Sequence, residues 1–146
     1  MRTRFALSLD GKNMIRTFVD SGILLAGWRG IPKLQIKALT ILSDANREFV
    51  SSPFIRLELR PKAVYHKNIN EVAFYDSFFT SAVEWIDDFP TLVSEAAIVG
   101  EKCGLNSMDA LHIAAAVLGN ANEFVTAERT TSPFSRVQNI KVVFIS

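Results

Sequence analysis

The chain has 146 residues, a size that suits one domain, and its 49% hydrophobic and 21% charged residues exclude a disordered chain. A net charge of +1 gives no overall bias toward nucleic acid, and the single Cys103 excludes an intrachain disulfide or a cysteine-based zinc site. No run approaches the roughly 20 apolar residues of a membrane span, and Phe5 to Leu9 is too short for a signal peptide, so the expectation is a soluble, cytoplasmic protein without membrane contact.

In chain order, residues 1–13 read as an N-terminal extension with a turn at Asp10-Gly11, and residues 14–146 as the folded domain. Ile15 to Val19 predicts a buried strand that ends at Asp20. Ser21-Gly22 reads as a break, and Ile23 to Ala26 as a short helix. Pro32 precedes a helix over about 33–43, and a short strand follows around 48–51. Ser51-Ser52-Pro53 is a helix start, since serine caps and proline is tolerated in the first turn. That helix carries Glu58 and is expected to stop near Pro61. A helix over 70–80, a strand over 82–86 and a helix from Asp87-Asp88-Phe89-Pro90 to Gly104 come next. Asn106-Ser107 caps a helix that carries Asp109 and ends near Gly119, and strands follow at 124–127 and 141–145. Strands alternating with helices predict an α/β three-layer sandwich, with a mainly parallel central sheet flanked by helices.

Four acids stand out against this pattern. Asp109 sits on a helix that is apolar almost all the way round, where an uncompensated carboxylate is costly. Asp20 and Glu128 fall at strand ends, where ligands of parallel sheets gather. Counting about 100° per residue places Glu58 roughly 40° from Phe54, on the apolar side of its helix and away from Arg56 and Arg60. Taken singly, each acid has a plainer reading as a cap, a turn residue or a surface partner. Their joint occurrence in apolar settings points to one shared acidic site, with a divalent cation as the economical counter-charge.

Other residues read more plainly. His112, three positions after Asp109, suits either a hydrogen bond to a site carboxylate or a packed core role, and the core role is the default. Phe74, Phe78, Phe79 and Trp85 are spaced for the core or a dimer contact, with Tyr75 on another face. Residues 1–73 hold 12 basic and 6 acidic side chains, so that half could meet phosphates, with Arg29, Lys33 and Arg60 as candidates.

The motifs Phe18-Val19-Asp20-Ser21-Gly22, Glu58 on a mid-chain helix, Asp109-Ala110-Leu111-His112-Ile113-Ala114-Ala115-Ala116 and Phe124-Val125-Thr126-Ala127-Glu128 resemble, in order and spacing, those of a PIN domain of the VapC toxin type. The resemblance covers about residues 14–146. It implies a metal-dependent endoribonuclease in which Asp20, Glu58 and Asp109 bind Mg²⁺ or Mn²⁺ and Thr126 orients a carboxylate or water. The family usually has Asp where this chain has Glu128, which leaves open how Glu128 serves a second metal. The resemblance also implies an RNA substrate, a small antitoxin partner and a homodimer. A non-catalytic PIN-like module that binds RNA or protein is the alternative. A receiver-like domain, with one acid accepting phosphate, would instead place Glu58 and Glu128 away from Asp20.

Overall fold

The structure, a computed structural model, describes residues 13–146. The expected extension and its Asp10-Gly11 turn lie outside the described residues, apart from Asn13. The elements are β1 Ile15–Val19, α1 Ser21–Arg29, α2 Pro32–Leu42, β2 Arg47–Ser51, α3 Pro53–Tyr65, α4 Ile69–Ser81, β3 Glu84–Trp85, α5 Phe89–Cys103, α6 Ser107–Leu118, β4 Glu123–Thr126 and β5 Lys141–Phe144, with a single 3₁₀ turn at Pro133–Arg136.

The five strands form one sheet in the order β3-β2-β1-β4-β5, and every neighbouring pair is parallel. Consecutive side chains along Arg16 to Val19 in β1, and all four along β4, are buried. Successive strand residues point to opposite faces, so both faces of the sheet centre are covered by helices, as a parallel sheet requires. The first three strands build outward from β1 in one direction, and β4 returns to its other side. The order therefore reverses between β1 and β4, and the carboxyl ends of these two strands are where open parallel sheets bind ligands.

Several local signals were overridden. Ser21-Gly22 does not break the chain: Asp20 caps α1 by accepting from the Ser21 N–H at 2.8 Å, so the helix starts at once. Gly27, inside α1, is needed for close approach, since a Cβ there would lie 3.1 Å from Phe74 and 3.2 Å from Leu42. Helix α3 runs one turn past Pro61. The proline lies on the exposed side with Leu57, while buried Leu59 and Ala63 hold the last turn to the core. β3 is only two residues long, although Val83 and Ile86 extend its backbone bonding to Phe49 and Ser51. Gly104 ends α5 in the left-handed region, with φ of 68°, a conformation that favours glycine.

Tyr75, expected on another face than the core aromatics, is part of the core. It is fully buried, and its hydroxyl donates to Glu71 at 2.6 Å, a pairing that local periodicity does not reveal.

Candidate acidic active site

Asp20 is the first residue beyond β1. Its N–H donates to the Val125 carbonyl at 2.9 Å, which continues the β1–β4 pairing by one bond. The side chain is 5% exposed. One oxygen accepts from the Ser21 N–H, and the other accepts from the Thr126 hydroxyl at 3.0 Å. Burial pushes the Asp20 carboxyl up. The His112 ring, Thr126 and Ser21 pull it back, and Glu58 adds to the rise.

Glu58 reaches the same place from the second turn of α3. Its Oε1 meets the Nε2 of His112 on α6, and the Ser21 hydroxyl is a second partner. The side chain is 33% exposed. Mutual repulsion among the acids is expected to raise every carboxyl, yet the Glu58 carboxyl is lowered. The His112 hydrogen bond outweighs desolvation there.

Asp109 is the third residue of α6. Its N–H donates to Asn106 Oδ1 at 2.8 Å, so Asn106 is the helix cap and the Asp109 carboxylate is left for the site. Burial, then Asp20, with Glu128 and Glu58 adding, raises the Asp109 carboxyl to about 6 against the opposing pull of His112. The favourable end of the helix dipole does not cancel this rise.

Glu128 lies two residues past β4 and is exposed. Its N–H donates to the Thr126 hydroxyl oxygen at 3.1 Å, so Thr126 links the backbone at Glu128 to the Asp20 carboxylate. Asp20 responds to Glu58, and Asp109 responds to Asp20, Glu128 and Glu58. Glu58 acting on Asp20 goes against the receiver-like reading, which needed Glu58 away from Asp20.

His112 is fully buried and also hydrogen-bonded to Glu58, so the packed role and the hydrogen-bonding role belong to one residue. Ser21 was read only as part of a break. Its signal was its position, directly after a strand-end acid at a helix start. Among the proposed phosphate guides, Arg60 is held in a two-point pair with Asp76 at 2.8 and 3.2 Å. Arg29 lines a groove with Glu58, Lys62 and His66.

Whether these residues suit a divalent metal can be judged from their chemistry. Among the described residues, no three His, Cys, Asp or Glu side chains are spaced as a ready-made cage. The donors are hard carboxylate oxygens, and Asp20 and Asp109 are both raised, so they hold their charge at a cost. That set of hard oxygen donors fits Mg²⁺ or Mn²⁺, with water completing the shell, better than it fits an all-protein cage.

The model of the PIN domain family matches residues 17–139. The chain belongs to the PIN domain family. No curated protein matches this PIN chain in sequence. Solved structures do match in fold. VapBC2 of Rickettsia felis, bound to a DNA fragment from its promoter, is 19% identical with a TM-score of 0.66, over 88% of this chain and 97% of the other. A toxin–antitoxin complex from Klebsiella pneumoniae is 18% identical with a TM-score of 0.64, over 89% and 98%. DNA-bound VapBC from Salmonella typhimurium is 12% identical with a TM-score of 0.64, over 91% and 100%. The α/β fold of this PIN domain is thus that of VapC-type structures. No helix among its described residues is long and apolar enough to cross a membrane.

Proposed function

We propose that this PIN domain is a metal-dependent endoribonuclease, the toxin of a type II toxin–antitoxin pair, with residues 14–146 as the nuclease domain and the cytoplasm as its setting. The observation that carries the reading is the raised Asp109 carboxyl beside Asp20, Glu58 and Glu128 at the switch point of a parallel sheet. Asp20, Glu58 and Asp109 would hold Mg²⁺ or Mn²⁺, and Glu128 would serve a second ion or position a water. When bound, the metal supplies an activated water and neutralises phosphate oxygens.

The chain's own residues do the rest. Thr126 fixes the Asp20 carboxylate through its hydroxyl, and Ser21 holds it from the helix N-terminus. Apolar walls from Phe18 and Phe124 keep the floor dry, which strengthens each charge interaction above it. Arg29 and Lys62, along the groove that Glu58 shares, would meet RNA phosphates.

Two protein partners belong to this reading, a small antitoxin and a second copy of the chain. The solved complexes described above support the first. The apolar stripe of Leu57, Pro61, Val64 and Tyr65 along α3, with Leu57 64% and Tyr65 80% exposed, supports an apolar contact of some kind.

Incubating RNA with the protein and Mg²⁺ or Mn²⁺ tests the enzyme reading. Cleavage that EDTA stops and Asp109→Asn reduces to background is the expected result. The replacement of the family's Asp by Glu128 favours, as the second reading, a non-catalytic RNA- or protein-binding module. RNA binding without cleavage under either metal would select that module.

A further inference from the structure

Glu58 is long, partly exposed and carried by a helix rather than a strand end. Left to itself, such a side chain samples several rotamers, and Lys62, one turn further along α3, would draw it toward solvent. The structure instead ties it inward, to His112 Nε2.

His112 is well suited to that task. Its ring has no exposure, and it is held 6.3 Å from the ring of Phe18, which stacks on Phe124 beneath the site. It lies three residues after Asp109, on nearly the same face of α6, so one rigid helix carries both an acid and the group that aims a second acid. Its other nitrogen, Nδ1, is buried and has no hydrogen-bond partner. A proton on Nδ1 would be an orphan donor, and a bare Nε2 would face the Glu58 carboxylate lone pair to lone pair. Placing the proton on Nε2 resolves both problems.

We infer that His112 is a positioning residue: it donates from Nε2 to Glu58 and thereby sets the Glu58 carboxylate toward Asp20 and Asp109. The inference rests on the metal-site reading for its consequence but not for its geometry. Groups that aim a metal-binding carboxylate are typically worth about 10–100-fold in metal affinity.

Two measurements on the full chain test it. In ¹⁵N-labelled, metal-free protein, the His112 ring proton is expected on Nε2, with a resonance that moves or is lost in Glu58→Ala. A proton on Nδ1, or an Nε2–H resonance indifferent to Glu58→Ala, overturns the inference. In Mn²⁺ calorimetry, His112→Met is expected to weaken binding about 10–100-fold, while His112→Gln, which keeps a donor, recovers most of it. In a Glu58→Ala background, His112→Met should cost nothing more, because its effect runs through Glu58. Wild-type affinity in His112→Met, or losses that simply add, overturns the inference. If the wild type binds no Mn²⁺, the metal reading falls by itself. In that case, or if His112→Met fails to fold, the ring-proton measurement alone decides.

Discussion

The two ends of the central sheet treat charge in opposite ways. At the amino end, buried Arg16 donates to the Gly119 carbonyl at 2.7 Å and pairs with Glu48 at 3.3 Å and with Glu84. Arg47 pairs with Glu123 at 2.8 Å and Asp44 at 2.5 Å, and the Thr17 hydroxyl also serves Glu123 at 2.8 Å. At the carboxyl end, no Lys or Arg among the described residues forms an ion pair with Asp20, Glu58, Asp109 or Glu128. Among the described residues, His112 is the only basic side chain bonded there, and it serves Glu58. The same sheet therefore has one end where acids and bases cancel and one where acids accumulate. The proposed cation would supply at the second end the counter-charge that arginines supply at the first.

Breaking the compensated end should have the largest effect on stability. Arg16→Met removes the cation paired with Glu48 and the donor to the Gly119 carbonyl. A loss of about 3–5 kcal/mol is expected in urea unfolding. A change below about 1 kcal/mol would mean that the pairs are no more than surface bridges.

A smaller loss is expected from Thr126→Val at the acidic end. It removes the Thr126 hydroxyl's hydrogen bond to buried Asp20, at a cost of about 1–3 kcal/mol, and pushes the Asp20 carboxyl further up. Unfolding measured at neutral pH and again near pH 4 sharpens the point. The loss should shrink at the acid pH, because the raised Asp20 carboxyl carries less charge there.

Asp109→Asn should go the other way and stabilise the metal-free protein. The Asp109 carboxyl titrates at about 6 in the folded chain against an ordinary 3.8, so between those values the folded state holds more protons than the unfolded one. Its contribution to stability is therefore greatest on the acid side and declines as pH climbs from about 4 through about 6. At pH 7.5 without metal, Asp109→Asn should melt roughly 3–5 °C above the wild type, and the gap should close toward pH 4. A lower melting temperature for the variant at pH 7.5 would show that the carboxylate is compensated after all.

The parts of this account that were readable in the sequence are those written locally. Asp20 after an apolar strand, Pro53 after a serine cap, Asn106 before Asp109 and the alternation of strands and helices specify the elements and the parallel sheet. Local signals failed where a distant partner decided the outcome. Pro61 is tolerated because Leu59 and Ala63 are anchored elsewhere in the core. Tyr75 is buried, with Glu71 as its acceptor. His112 joins Glu58 across 54 positions, and Arg16 joins Glu84 across 68. No window of sequence contains both members of such pairs. The candidate acids were visible because a carboxylate in an apolar setting is conspicuous by itself. The role of Ser21 was not, because it exists only once α1 and α3 meet, and His112 was legible only as one of two readings until α3 and α6 met.

The claim that the acidic end lacks a counter-charge is tested most directly by melting the protein at pH 7.5 with and without Mn²⁺, in the wild type and in Asp109→Asn. Mn²⁺ should raise the wild-type melting temperature in a saturable way and leave Asp109→Asn nearly unmoved. An equal Mn²⁺ shift in both proteins, or none in the wild type, would contradict the account.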